Sequence, residues 1–386
     1  MKTNRRSFLK KTGIVSTGLS LGLPGISELN LSPSYSQVRK GPKDFRIVMG
    51  HYDIWEFNAR FATGDKSQNS PLRDFLLPRL LEGGVSVVVM PPCGDSCDQR
   101  MRSDQVLEGS MRTINMLLLE IEKTNGKASL ILTKKDVPEK PDPNHVKFFF
   151  DMEGAETIQP NSEPEQYYPG CDLAVLRNLF RLGLRGLQLT HNARNMAADG
   201  VAEGKMAGKL SMFGVRLVEE CNRLGILIGT SHLSANGIFH AAEISTKPIV
   251  STHQNPQKFI NTDLQHSDAE IKAIASTGGT VGFRYHSNKS TPYSFLADIV
   301  EFVADLVGIE HIALGWLGHD AGNPDPDYVP GISKGPFPGS EIEKMTKYEQ
   351  NSRFIDILYQ RKLTDEHIAM VMGGNLLRVM KETLPD

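Results

Sequence analysis

Cysteine is scarce in this sequence: there are 4 among 386 residues, and they are not spaced as paired zinc knuckles. This scarcity excludes a disulfide scaffold and a zinc-knuckle domain. The formal net charge is −2, so neither nucleic acid nor an anionic membrane surface is expected as a partner. The sequence also lacks a Gly-x-Gly-x-x-Gly motif, and a dinucleotide site is therefore not supported.

The N-terminus has its own pattern. Arg5-Arg6-Ser7-Phe8-Leu9-Lys10-Lys11 precedes a weakly apolar stretch, Thr12 to Pro24, that is too short to span a membrane. A basic region followed by a short apolar one is typical of a twin-arginine export signal, and a plain basic tail is the alternative. We predict a signal over residues 1–30 and a linker over 31–42. The export machinery is then a partner, and the protein is periplasmic or extracytoplasmic.

Short apolar runs alternate with longer amphipathic stretches along the rest of the chain. Three of these stretches are predicted helices, over Phe213–Leu224, Asp268–Ser276 and Thr291–Val307. Eight runs are predicted strands, and several are almost continuously apolar, as in strands buried on both faces: Phe45–Met49, Val85–Met90, Lys147–Asp151, Gly186–Thr190, Ile226–Thr230, Pro248–Thr252, Thr280–Phe283 and His311–Gly315.

Alternating strands and helices predict an α/β fold, a single TIM-type (β/α)8 barrel over residues 43–386. A doubly wound open sheet is the alternative architecture. The chain length alone would also allow two or three domains.

Polar side chains gather where the predicted strands end. One such residue often has an ordinary explanation, as a solvated histidine or a helix cap. Their recurrence in successive strand–helix units favours a shared site, because carboxyl ends of parallel strands meet at one rim. Imidazole and carboxylate together suit zinc, and a carboxylate can bridge two ions about 3.5–4 Å apart. The candidate residues are His51, Asp53, Glu153, His191, His232 and His253.

Several segments resemble the membrane (renal) dipeptidase family, a set of binuclear zinc hydrolases of the amidohydrolase group on a TIM-type barrel. The resemblance covers about residues 45 to 380, with its motifs in the family's order. The segments are Gly50-His51-Tyr52-Asp53, Met152-Glu153-Gly154, Leu182 to Asn192, Ser231-His232-Leu233-Ser234, Pro248 to His253 and Gly373 to Val379.

The resemblance implies a role for each candidate. His51 and Asp53 bind the first metal, Glu153 bridges, and His232 and His253 bind the second. It places His191 against the substrate. The implied cofactors are two divalent ions, with zinc expected, and the implied substrate is a small molecule, a dipeptide or a related amide cleaved by a metal-activated water. A homodimer is compatible with this picture.

Two family positions are not kept. Where the family has an Arg-Asn that holds the substrate carboxylate, this chain has Leu264-Gln265, and Leu317 replaces an acidic residue at the last strand. Loss of the arginine removes a bidentate carboxylate clamp. We hypothesise that Asp320, with His319 second, takes the acid–base role. Two alternatives stay open: hydrolysis of an N-acyl amino acid or a lactone, and a non-catalytic metal-binding relative.

The export signal makes a direct prediction. Replacing Arg5 and Arg6 together by Lys keeps the charge but removes the arginine pair that the pathway recognises. We expect the variant to accumulate in the cytoplasm, measured by fractionation and immunoblotting. Export at the wild-type level would contradict the assignment.

Overall fold

Within the residues that the structure describes, the sheet has 9 strands, and every pairing between them is parallel. The structure is a computed structural model that describes residues 39–52, 70–94, 106–159, 173–262, 264–284, 294–317 and 347–386. The strands are β1 (Ile47–Met49), β2 (Val85–Gly94), β3 (Ala128–Leu130), β4 (Val146–Glu153), β5 (Gly186–Gln188), β6 (Leu227–Gly229), β7 (Ile249–Ser251), β8 (Thr280–Arg284) and β9 (Ile312–Trp316).

The strands close into a ring in the order β1-β2-β4-β5-β6-β7-β8-β9. Closure is made by the backbone: Gly50 N–H donates to the Leu314 carbonyl and His51 N–H to the Gly315 carbonyl, each at 3.2 Å. β3 lies outside the ring and pairs with the first part of β4. The predicted TIM-type (β/α)8 barrel is confirmed, and its eight ring strands are the eight that the sequence predicts.

The α-helices alternate with these strands. Those in the described part of the chain are α1 (Leu77–Glu82), α2 (Val106–Glu122), α3 (Ala174–Arg181), α4 (Met212–Leu224), α5 (Ala235–Ile244), α6 (Asp268–Ser276), α7 (Phe295–Val307), α8 (Lys347–Gln360), α9 (Asp365–Ala369) and α10 (Asn375–Thr383). None of them is both long and apolar enough to cross a membrane.

Local sequence explains where the helices begin and end. α4 begins after Ser211, whose hydroxyl accepts from the Gly214 N–H at 3.0 Å, and it ends at Gly225 in the left-handed region. α6 begins after Ser267, which forms a capping box with Glu270. The predicted helices are confirmed with small changes at their starts: α4 begins at Met212, and α7, within the described residues, at Phe295.

Alternate residues of the strands fall into two buried clusters. The smaller one combines strand side chains with Ile131, Val137 and residues of the C-terminal helix and its end, Leu376, Leu377, Val379, Met380 and Leu384. Its strand members are Val48, Val87, Val89, Phe149, Leu227, Val250 and Ala313. Their neighbours along each strand pack outward against the helices. Because both faces are apolar, polar groups are tolerated mainly at the strand ends.

Close backbone approach is needed where the barrel closes. A Cβ added at Gly315 would lie 2.2 Å from the Thr252 carbonyl oxygen and 2.6 Å from that of Phe283. A Cβ added at Gly50 would lie 2.7 Å from the Leu314 carbonyl oxygen. The ends of β1, β7, β8 and β9 therefore meet more tightly than a side chain between them would allow.

Gly315→Ala should destabilise the protein, because the new methyl group meets fixed backbone atoms. Overpacking of this kind costs about 1–3 kcal/mol. The matched control is Gly208→Ala, whose Cβ would meet Asp199 Oδ2 at an ordinary 3.6 Å. The measurement is the urea midpoint of metal-free protein, and equal midpoints for the two variants would contradict the tight closure.

Candidate metal centre

The candidate residues follow the carboxyl ends of five ring strands. His51 comes just after β1, Glu153 ends β4, and His191, His232 and His253 follow β5, β6 and β7. Because all the strands are parallel, these positions share one rim of the barrel. Three other predicted site residues, Asp53, His319 and Asp320, lie outside the described residues.

Three imidazoles converge on one carboxylate oxygen. The Nε2 atoms of His51, His232 and His253 lie 3.7, 3.3 and 3.5 Å from Glu153 Oε1. His51, Glu153 and His253 are buried, and His232 is half-buried. The sequence prediction that these strand ends meet thus agrees with the geometry.

Glu153 belongs to two sets of potential ligands. Its carboxylate forms one set with His51 and His253 and a second set with His191 and His232, and within each set the ligand atoms lie within 4.8 Å of one another. A carboxylate shared by two donor sets is the arrangement that a bridging ligand requires. The second set also contains His191, which the family resemblance places against the substrate. His191 is half-buried, and its ring centroid lies 4.5 Å from that of His232.

Hydrogen bonds orient the His232 ring. Asn192 Oδ1, which can only accept, lies 2.8 Å from His232 Nδ1, so Nδ1 carries the proton and Nε2 presents a lone pair. That lone pair faces His253 Nε2 at 2.7 Å and the Glu153 carboxylate. Neutral imidazole nitrogens and a carboxylate are the donor set that suits zinc and similar divalent ions, so these residues fit a metal.

His232 also has a strained backbone. Its φ is +64°, in the left-handed region that residues other than glycine rarely adopt. Gln254 Oε1 accepts the His232 N–H at 2.8 Å. The His232 carbonyl accepts from the Val201 N–H at 2.9 Å and from the Thr190 hydroxyl at 3.1 Å. These contacts hold a strained residue in place, a pattern common at functional sites.

The electrostatics keep the ligands in their binding forms. Burial raises the pKa of the Glu153 carboxyl, but His51, His232 and His253 outweigh it and hold that pKa well below its ordinary value. Burial lowers the pKa of His253 far below its usual range, and His51, His232 and Arg284 lower it further. An ionised carboxylate beside a neutral imidazole results, which is the state that metal coordination requires.

Comparison with known proteins identifies the family. Residues 36–384 match the model of the membrane dipeptidase family, peptidase family M19. The chain belongs to this family. Dipeptidase verJ of Clonostachys rogersoniana is 27% identical over 368 residues, which is 91% of this chain and 87% of that protein. The protein is accordingly a metallo-dipeptidase-like hydrolase that uses divalent metal ions and acts on a small molecule.

Two solved structures share the fold. The crystal structure of dipeptidase AC has a TM-score of 0.69 and 19% identity, with 89% of this chain and 100% of that chain covered. A metallopeptidase from Rhodobacter sphaeroides, liganded with a phosphinate mimic of the dipeptide L-Ala-D-Ala, has a TM-score of 0.69 and 18% identity, with 88% and 99% covered.

The two family positions that this chain changes have ordinary structural roles. Leu264 is 48% exposed at the rim, while Gln265 is buried and accepts the Asn255 N–H at 2.8 Å. Leu317 is 3% exposed and packs in the hydrophobic core. Neither leucine can bind a carboxylate or move a proton, so any such group must come from elsewhere.

Arg284 is the residue that the sequence reasoning overlooked. It ends β8 at the same rim, and its positive charge reaches His253. The Asn255 side chain fixes its backbone: Nδ2 donates to the Arg284 carbonyl and Oδ1 accepts the Arg284 N–H, both at 2.9 Å. Arg284 directly follows a predicted strand, so the strand-end rule that found the histidines would also have found it.

Glu153→Gln should reduce the content of both metal ions together, because the shared carboxylate contributes to both donor sets. We expect two ions per wild-type chain by elemental mass spectrometry and far less than one in the variant. Asp151→Asn is the matched control, since it makes the same change on the same buried strand at a residue outside both donor sets. Unchanged metal content in Glu153→Gln would rule out bridging.

Proposed function

We propose that the protein hydrolyses an amide bond in a dipeptide or a related small amide, with two divalent ions, zinc by preference. His51, Asp53 and Glu153 would hold one ion, and Glu153, His232 and His253 the other. The observation that carries the proposal is the Glu153 carboxylate shared by two sets of donors at the carboxyl end of the barrel. The division of ligands between the ions follows the family resemblance, whereas those sets group His253 with His51 and His191 with His232.

The chain's own residues supply orientation and charge. Polarisation of a scissile carbonyl and activation of water are the chemistry that divalent ions supply when bound. His191, half-buried beside His232, is suited to donate a hydrogen bond to the developing negative charge on the scissile oxygen. If His191 contacts the substrate, the His191→Ala variant should keep its metal content but lose turnover. Loss of metal from this variant would instead show that His191 is a metal ligand.

We propose Arg284 as the partner of the substrate carboxylate. A guanidinium binds carboxylates through a planar fork of donors. Arg284 is one of the groups whose positive charge acts on His253, together with His51 and His232, and its backbone is fixed by Asn255. A cation on β8 would thus compensate for Leu264 in the neighbouring loop. This favours a substrate with a free carboxylate, such as a dipeptide or an N-acyl amino acid, over a lactone.

The test is hydrolysis by metal-loaded protein of three panels: dipeptides, N-acyl amino acids and lactones. Arg284→Met should raise KM for carboxylate substrates by about 10–100-fold, the value of a lost charged hydrogen bond. For a carboxamide analogue of the same substrate, Arg284→Met should change KM little. For the carboxylate substrate, the KM of Arg284→Lys should lie between those of the wild type and Arg284→Met. Fully metal-loaded protein that cleaves nothing in any panel would favour the non-catalytic metal-binding alternative.

Protonation of the leaving amine needs a further group, and we propose Asp320, with His319 second. The support is chemical: Leu317 is buried in the core, and these are the next residues along the sequence that can carry a proton. General acid–base help contributes about 10²–10⁴ in rate. Asp320→Asn should lower kcat at least tenfold at unchanged metal content. Wild-type kcat in both Asp320→Asn and His319→Ala would remove this assignment.

We also propose that the protein works outside the cytoplasm after export in the folded state. The support is the paired arginines Arg5-Arg6 with the short apolar stretch behind them. Folded export suits a metal site that is assembled before transport. The replacement of both arginines by Lys, described above, tests this step.

A further inference from the structure

A chain of buried polar side chains runs from His253 away from the metal centre. It passes through Thr252, Ser231 and Ser251 to His266 and ends at Glu270, at the start of α6. Each of these residues is less than 9% exposed, and Ser231 and His266 are fully buried. A polar chain of this length inside a barrel is costly unless every member is satisfied.

Every neighbouring pair in the chain is in contact. The His253 Nδ1–Thr252 Oγ1 distance is 2.8 Å. The Thr252 Oγ1–Ser231 Oγ distance is 3.1 Å, and the Ser231 Oγ–Ser251 Oγ distance is 3.2 Å. The Ser251 Oγ–His266 Nε2 distance is 2.7 Å, and His266 Nδ1 lies 3.5 Å from Glu270 Oε1.

The carboxylate end gives the chain a direction. Glu270 Oε2 accepts the Ser267 N–H at 2.9 Å, which leaves Oε1 for His266. Burial raises the pKa of Glu270, but hydrogen bonds from His266 and Ser267 bring it below its ordinary value. An ionised carboxylate only accepts, so the His266 Nδ1 that faces it carries a proton, and in the Nδ1–H tautomer Nε2 accepts.

The same logic passes from one hydroxyl to the next. Ser251 donates to His266, so its oxygen accepts from Ser231. Ser231 Oγ accepts the Thr252 N–H at 2.8 Å and, more weakly, the His253 N–H at 3.3 Å, and with its proton given to Ser251 it can only accept from the Thr252 hydroxyl at 3.1 Å. The Thr252 oxygen can then only accept from His253 Nδ1. His253 is left with its lone pair on Nε2, the atom that lies 3.5 Å from Glu153 Oε1 and 2.7 Å from His232 Nε2, which also presents a lone pair; a cation held between the two nitrogens would satisfy both. A threonine hydroxyl alone could either donate to His253 Nδ1 or accept from it. The hydrogen bonds from Glu270 to Thr252 decide in favour of acceptance.

We propose that His266 and Glu270 are positioning residues that set the tautomer of the metal ligand His253 through Ser251, Ser231 and Thr252. The proposal rests on the metal-binding role of His253 in the proposed function. Ligating histidines commonly donate their second N–H to a carboxylate, and losing that partner costs about 10–100-fold in metal affinity. Here the carboxylate would act on its ligand through three hydroxyl groups and a second imidazole.

The decisive variant is Glu270→Gln. Glutamine serves as well as glutamate in a capping box, so α6 keeps its start, but the amide can present a donor to His266 Nδ1. The direction of the chain would then reverse and place the proton of His253 on Nε2. We expect the affinity for one of two zinc ions to fall about tenfold, measured by competition with a chromophoric chelator.

Two further variants separate this role from simple packing. In a Ser251→Ala background the series of hydrogen bonds from Glu270 to His253 is already interrupted. Glu270→Gln should then have little additional effect on zinc affinity. Ser211→Ala removes the cap of α4 instead and should lower the urea midpoint while leaving zinc affinity unchanged. Wild-type affinity in Glu270→Gln, or the same loss with and without Ser251, would overturn the proposal.

A spectroscopic readout is independent of metal binding. In ¹⁵N-histidine spectra, His266 should be the Nδ1–H tautomer in wild-type protein and should change in Glu270→Gln. If the wild-type protein binds no zinc while His266 behaves as expected, the proposed metal centre fails and the direction of the chain stands. If zinc binds and His266 is the Nε2–H tautomer, the proposed direction of the hydrogen bonds is wrong and the metal centre stands.

Discussion

The buried Glu153 carboxylate is the group around which the carboxyl end of the barrel is arranged. A buried negative charge is stable only with partners that offset its desolvation. Three imidazole Nε2 atoms lie between 3.3 and 3.7 Å from one Glu153 oxygen. Protonated imidazoles would offset its charge directly, and neutral imidazoles with inward lone pairs, as assigned to His232, would need a bound cation to do so.

This arrangement depends on close contact between strand ends. Gly50 and Gly315 allow β1 and β9 to meet beside β7, and the rings of His51 and His253 then lie 4.0 Å apart between centroids. The strained backbone of His232 is a second cost at the same place. Asn192, Gln254 and the serine and threonine hydroxyls behind His253 offset these costs, so the supporting residues extend well beyond the candidate ligands.

Much of this could be predicted from the sequence because it depends on local patterns. Buried parallel strands are apolar on both faces, so a polar residue such as Glu153 at a strand end stands out. β3 could not be found in this way, since Ala128–Leu130 is short and pairs only with the first part of β4. Arg284 follows the same rule as the histidines, because it ends β8, but it lies 20 residues along the chain from Leu264, the position that corresponds to the family's arginine.

Other features depend on register and could not be predicted. Ser231 meets Ser251 and Thr252 because β6 and β7 are paired, and His266 reaches Ser251 from the loop before α6. Nothing in the sequence marks these serines as different from any others. The burial of Leu317 in the core is likewise a result of packing, and Asp320 and His319 are the next residues along the sequence that can carry a proton.

The central claim is that one carboxylate serves two metal ions, and anomalous diffraction from crystals grown with zinc tests it most directly. The account predicts two anomalous peaks about 3.5–4 Å apart, with one Glu153 oxygen on each and with His232 and His253 on the same ion. A single peak, or two peaks of which only one contacts Glu153, would contradict it.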